Sequence, residues 1–590
     1  MRPKFDRIWW GLIAYALIYG VVMLSFGSTW FYEPSPYHRY QADALLHGHL
    51  CLSNSVNAMH PGLAWHDGHV QQVWGLGVGL WLLPFQAVWH LVGGRILPDR
   101  VVLGLAFALL AFFSGSTGLK LINQGNRSYG LGVMWMVTLC PALWTLTRSS
   151  EFVFEETVLY SVILSLGILV SLIRVASFGL RMDYAISCAL SAFAVWVRPT
   201  HAIYGLGGVL AASWSMWIYR RSWKEAIFGF GFWCASFSLL AWTNNVRFGS
   251  PAEFGHHLTV SSANMIYLTR FGNPFRQASL LQAAKELLGL LFFVPPHGKY
   301  AFGENLFPGQ APFPRWRMLD LTTFDPVWMF ICIAAFVSAI AWLILKRKKN
   351  RYPLLSQPQS VLVFSLLLWV AVSIIVLSCF YLYYPAIASR YLLDFAPALT
   401  GSILLGCALM PPRVLKIMLP VAVIWLVYEA ASAKVPAESQ FVRNLALQQP
   451  LPMTQGMSLK NFNGKYTPDH HPSATRIKGN GDGWEPETGF ASDIVSLVVD
   501  DPEFVDLRVS GRRKINSEPA PKDIYRAQID GVSLPIRSVL KDGDEFDVTF
   551  ELPRAIRSPH QNQILFLCFS DGYDMEDRES ERFLYSVRWR

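Results

Sequence analysis

Eleven runs of apolar residues, each approaching the length a helix needs to cross a bilayer, constrain this chain more than any other feature. They occupy residues 9–27, 101–121, 130–147, 157–175, 184–198, 201–219, 226–243, 326–345, 359–383, 393–409 and 414–431. A crossing takes about 20 helical residues. The runs are nearly continuous, with glycine and aromatic residues at their ends. A membrane barrel would instead alternate apolar and polar residues with period two. With hydrophobic residues at 52% of the chain, the expected fold class is an α-helical polytopic membrane protein.

Two further apolar stretches, 74–94 and 280–296, are decided by charge. The net charge of +9 is not a nucleic-acid signal, because the basic residues sit in short clusters between runs. These clusters are Arg2/Lys4/Arg7, Lys120/Arg127, Arg174/Arg181, Arg220/Arg221/Lys224, Lys346 to Arg351, and Arg413/Lys416. All six fall on one side if the eleven runs cross and the two further stretches do not. That is the distribution expected of cytoplasmic loops. Residues 74–94, broken by Pro84, and 280–296, ending in Pro295 and Pro296, therefore read as interfacial or re-entrant helices. The N-terminus is then cytoplasmic. The basic start MRPKFDR with no small-residue cleavage site reads as a signal anchor.

The organisation that follows is a transmembrane domain over 1–434, with outside loops at 28–100 and 244–325, and an extracytoplasmic β-rich domain over 435–590. In the latter, short runs such as IVSLVVDD, FVDLRVSG, DEFDVTFELP and NQILFLCFS alternate with turn signals. That spacing predicts a β-sandwich. Residues 436–480 read as a linker.

Chemistry-bearing residues gather on the side opposite the basic clusters. The first loop holds Glu33, Asp43 and Asp67 with His38, Arg39 and several further histidines. An acid just above a membrane helix is a candidate general base, since partial burial raises its pKa toward neutrality. Glu155 and Glu156 open the 157–175 run, where they either cap a helix or position an acceptor or a cation. Arg198, Arg247 and Arg390 lie at outer ends of runs. Arginines there suit a phosphate group, which they bind bidentately, or else they snorkel to lipid. The pairs His47/His49 and His66/His69 lack the accompanying ligands a metal site needs, so no metal is assigned. A divalent cation is kept as an alternative. In the tail, Trp484 with Glu485 and Glu487 fits either a sugar-binding surface or the core of a sandwich.

Several of these stretches resemble the GT-C superfamily of polytopic glycosyltransferases, which includes the protein O-mannosyltransferases and the bacterial lipid A aminoarabinose transferases. YHRYQADALLHGHLCL is similar to that superfamily's amphipathic stretch after the first helix. HDGHVQQVWGLGVGLWLLPF is similar to its juxtamembrane segment, and SRYLLDFAPAL to its Arg-Tyr signature near the last spans. The resemblance covers residues 1–430. Where the better-known families carry a pair of acids, this chain has Pro34-Ser35, which leaves Glu33 as first candidate and Asp43 as second. No Lys-Pro-Pro element is present, so donor phosphate binding falls to the arginines. The resemblance implies a glycosyltransferase of the bacterial inner membrane, transferring a hexosyl or pentosyl group. Its partners would be a polyprenyl-phosphate sugar donor and an extracytoplasmic glycan, lipid or protein acceptor. In that reading Glu33 or Asp43 is catalytic, Glu155 and Glu156 position the acceptor, and Arg198, Arg247 and Arg390 hold the donor phosphate. Two alternatives stand beside it: a transporter or flippase of a lipid-linked saccharide, and a GT-C-like scaffold without catalysis.

Overall fold

The computed structural model describes residues 3–27, 30–33, 36–53, 63–66, 69–94, 96–149, 153–221, 223–255, 258, part of 280–288, 326–349, 358–383, 393–432 and, beyond 481, the strand segments given below. The helical body runs α1 (Pro3–Ser25), α2 (Tyr37–Leu46), a hairpin of β1 (Leu63–His66) and β2 (His69–Gln72), α3 (Gly77–Leu91), α4 (Asp99–Asn123), α5 (Arg127–Thr138), α6 (Pro141–Ser149) and α7 (Val153–Phe178). It continues with α8 (Arg181–Val197), α9 (Pro199–Arg220), α10 (Lys224–Phe248), α11 (Pro326–Lys349), α12 (Pro358–Tyr383), α13 (Ala396–Leu409) and α14 (Pro412–Ser432).

Every one of the eleven apolar runs falls on helical segments. Among the described residues six helical windows are long and apolar enough to cross a membrane: Ile8–Ser25, Asp99–Asn123, Arg127–Arg148, Glu155–Phe178, Lys224–Phe248 and Pro358–Tyr383. This is the architecture of an integral membrane protein, with fewer such helices than the eleven crossings expected. The reasons are local. Pro199 ends α8 after 17 residues, and α13 spans 14 residues. The 130–147 run lies in one of the six but is broken within it, because Pro141 has no N–H to continue α5 and starts α6 instead. The expected helix at 74–94 is present as α3, and part of 280–288 is helical.

Helix α7 is the centre of the body. Its window is 89% buried, against 17% for that of α10 on the periphery. It packs against α4, α6, α8, α9, α12 and α13. Helices α4 and α5 approach closely through facing glycines: a Cβ on Gly118 would lie 2.6 Å from the Gly130 carbonyl oxygen, and one on Gly130 would lie 2.5 Å from that of Gly118. Small residues at such crossings let apolar helices associate without a hydrophobic driving force. On the far side Tyr204 of α9 donates to the Asp394 carbonyl (2.6 Å), and the indole of Trp369 on α12 donates to the Tyr204 carbonyl (3.2 Å).

Because successive long helices alternate in direction, one end of the body collects the end of α1 and the starts of α4, α7 and α13. The other collects the starts of α5, α12 and α14. The tail forms β3 (Asp482–Glu485), β4 (Phe490–Val499), β5 (Asp506–Arg513), β6 (Asp523–Ile529), β7 (Val532–Ser533), β8 (Ile536–Asp542), β9 (Glu545–Glu551), β10 (Gln563–Ser570) and β11 (Phe583–Trp589). They make one antiparallel sheet in the order β7-β6-β10-β4-β11-β5-β9-β8, with β3 also on β4. The β-sandwich expected from the sequence is therefore not shown. Alternation of apolar residues gives each strand one buried face, but strand pairing decides how many sheets the strands form, and here the ladder is continuous. The linker expected over 436–480 lies outside the described residues.

Candidate functional site

At the end where α1, α4 and α7 meet, four ionisable residues lock together. Glu33 sits in the connection between α1 and α2, and Asp99 and Arg100 are the first two residues of α4, directly after Pro98. Arg100 Nη1 donates to Glu33 Oε1 at 3.0 Å, with both side chains enclosed. Arg39, in the first turn of α2, meets Asp99 Oδ2 through its Nε at 3.1 Å. Asp99 Oδ1 accepts the backbone N–H of Glu33 (2.9 Å) and that of Arg100 (3.1 Å), so it ties the connection to the head of α4. Gly27 makes room for the arginine: a Cβ there would lie 1.6 Å from Arg100 Nη2. Burial pushes the Glu33 carboxyl up to about 7, and Arg100 beside it pulls the other way. A carboxylate tuned near neutrality is suited to accept a proton at working pH.

Helix α7 brings a third acid. Glu156, in its first turn, is 1% exposed, and neither carboxylate oxygen has a hydrogen-bond partner among the described residues. It lies within electrostatic reach of Glu33, Asp99, Arg39 and Arg100. Next to it Thr157 hydrogen-bonds His38 Nε2 at 2.9 Å, which fixes α2 against α7. One turn further along, the buried hydroxyl of Tyr160 also has no partner. Three carboxylates thus face two guanidinium groups. A buried carboxylate without a partner is costly to keep, which makes Glu156 a candidate contact for a ligand.

A second network lies further along α7. Pro199 disfavours helix at the preceding residue, and Arg198 is accordingly extended, with φ −160° and ψ 138°, at the break between α8 and α9. From that break Arg198 Nη1 reaches Asp394 Oδ1 at 3.0 Å. Asp394 is enclosed and also faces His201 Nε2 at 3.4 Å and the Tyr381 hydroxyl, which donates to Oδ2. The other ring nitrogen of His201 pairs with Ser165 Oγ at 2.7 Å. Glu156 and Ser165 are nine residues apart on α7, so the two networks lie roughly 13 Å apart along that helix.

The remaining sequence candidates are placed as follows. Asp43, one turn after Arg39 on α2 and half-buried, pairs with His90 (3.6 Å) and His47 (3.8 Å). Glu155 is buried beside Glu156. Arg247, at the end of α10, is enclosed and donates to Gln71 Oε1 (3.3 Å) and to the Gln72 carbonyl, clamping the β2 strand. Arg390 lies outside the described residues. Trp484 pairs with Ala491 in the sheet, and its side chain is likewise outside them. Among the described residues no three His, Cys, Asp or Glu side chains converge as a metal site.

Asp99 and Arg100 were not among the sequence candidates. A signal was available: the pair stands directly before an apolar run, on the same predicted side as Glu33. An acid and an arginine at a helix start read as ordinary solvated residues until the fold encloses them.

No family model matches the chain, and no curated protein matches it. Among solved structures, the arabinosyltransferase EmbB from Mycobacterium smegmatis superposes with a TM-score of 0.34 at 8% identity, over 98% of this chain. The chain spans 64% of the length of that protein. At that TM-score the likeness has no bearing on chemistry, which rests on the side chains themselves.

Proposed function

We propose that this chain is a membrane glycosyltransferase that moves a sugar from a polyprenyl-phosphate donor to an acceptor outside the membrane. The observation that carries the reading is the enclosed cluster of Glu33, Asp99, Arg39 and Arg100 facing the unpartnered Glu156, at one end of a bundle of membrane-length helices. The sequence resemblance to the GT-C superfamily supports it.

The acceptor hydroxyl gives its proton to Glu33 as its oxygen bonds the anomeric carbon and the bond from that carbon to the phosphate oxygen breaks. The leaving group is a phosphate anion, so it needs charge stabilisation more than a proton. Arg198 and Arg390 are assigned to that phosphate. Arg247 holds the wall of the loop. Glu156, with no protein partner, orients the acceptor by accepting a second hydroxyl. The donor reaches the cluster from the lipid phase, since its polyprenyl chain stays in the bilayer.

The test is transfer from a panel of radiolabelled polyprenyl-phosphate sugars in proteoliposomes. Glu33→Gln is expected to lower transfer by at least about 100-fold, the range for loss of a general base. Glu156→Gln should raise the KM for acceptor, and Asp43→Asn should leave transfer within a few-fold of wild type. Folded wild type that transfers nothing from any donor would replace this reading with transport of a lipid-linked saccharide, and transfer indifferent to Glu33 and Glu156 would move the catalytic site away from this cluster.

A further inference from the structure

The opposite end of the same helices holds a cavity of about 440 Å³, enclosed between the end of α4, the start of α5, the end of α7 and the junction of α12, α13 and α14. Its character is cationic. Arg127 and Lys416 both line it, and none of its described lining residues is acidic. The start of α5 opens on it, and Asn126 at that start makes no side-chain cap, leaving the first N–H groups of the helix without one. A helix start is an ordinary place for weak anion attraction, but two further features go beyond that. Tyr129 is 8% exposed and lines the cavity, and its hydroxyl is buried with no hydrogen-bond partner among the described residues. The hydroxyl of Ser177, contributed by α7 from another wall, is in the same condition.

A buried hydroxyl left unpaired is unfavourable, and two of them on different helices of one cavity, beside two cations, define a common missing acceptor. We infer that this cavity binds a phosphate group, whose oxygens accept from Tyr129, Ser177 and the α5 start while Arg127 and Lys416 balance its charge. Phosphate fits better than a carboxylate because it presents three or more acceptor oxygens in a tetrahedral array to donors contributed by separate walls. The group has two natural sources: the head of an anionic phospholipid at the membrane surface, or a phosphate compound in solution.

The experiment uses the full-length protein. Native mass spectrometry after exchange into phosphatidylglycerol or phosphatidylcholine reads lipid retention, and a thermal-shift titration with inorganic phosphate reads the soluble source. Wild type should retain phosphatidylglycerol over phosphatidylcholine, and Arg127→Gln with Lys416→Gln should reduce that retention roughly tenfold or more, as expected for two surface cations. Tyr129→Phe keeps every charge, so a several-fold loss in that variant identifies a built site rather than general attraction to anionic lipid. If phosphate raises the melting temperature of wild type but not of the double variant, and lipid is not discriminated, the site stands with a soluble ligand. Equal lipid retention and equal phosphate shifts in all three proteins would overturn the inference. Should the double variant fail to fold by gel filtration, Lys416→Gln alone and Tyr129→Phe carry the same comparison.

Discussion

Arg100 meets Glu33 at 3.0 Å in a space that Gly27 leaves open, and each of these three residues makes sense only with the other two. Replacing Arg100 by methionine keeps the volume and removes the charge that opposes burial of the Glu33 carboxylate. Breaking one side of a buried pair costs about 3–5 kcal/mol, and a fall in melting temperature of the purified protein checks it. The pH behaviour has a definite sign. Folded Glu33 holds its proton up to about 7, against an ordinary value of 4.5, so the folded state binds more protons between those limits. Its contribution to stability is present below 4.5 and is lost as the pH rises through about 7. Transfer follows the opposite course, rising through about 7 as the base is freed, and Arg100→Met should move that midpoint upward in a pH profile of kcat/KM. Glu33 was legible from sequence because it follows an apolar run on the side away from the basic clusters. Its partners were not, since which of many surface-like charges become enclosed depends on how α2, α4 and α7 pack.

Helices were the most legible elements, because a bilayer demands long apolar runs and the sequence cannot disguise them. Their interruptions were less so. The 130–147 run hides a break at Pro141, and Pro199 does more than end α8, since it turns Arg198 out toward Asp394. The facing pair Gly118 and Gly130 was silent in the sequence, where each is one glycine among 43. Their carbonyls leave no room for a side chain on either, so Gly130→Val should force α4 and α5 apart. Overpacking of this kind costs typically about 1–3 kcal/mol, and a thermal melt in detergent measures it. A Cβ on Gly132 would meet its nearest described neighbour, the Leu419 side chain, at 3.9 Å, so Gly132→Ala serves as the mild control.

Across the whole molecule, the polar features divide between two ends of the same rods. The acid–arginine cluster grips the heads of α4 and α7, and the cationic cavity is lined by residues at or beyond their tails. From Asp99 to Leu121 is 22 residues of continuous helix, roughly 33 Å, close to the hydrocarbon thickness of a bilayer. The gathering of Glu33 and Glu156 at one end and of Arg127 and Lys416 at the other follows the pattern of charges between runs. The single sheet of the tail was not legible in the sequence, because pairing order is a property of long-range contacts that alternation does not encode. The charge pattern also makes a graded prediction. In proteoliposomes of increasing acyl length, activity and melting temperature should both peak where the hydrocarbon layer is near 30 Å and decline to either side.

The rods therefore work as a caliper. Both jaws carry groups that do not tolerate oil, and α4 fixes the opening between them at the length of one unbroken helix. A membrane that thins or thickens cannot change that gap. It must deform around the protein or tilt it, at fractions of a kcal/mol for each ångström of mismatch, so the chain measures the layer it sits in and settles where the layer fits.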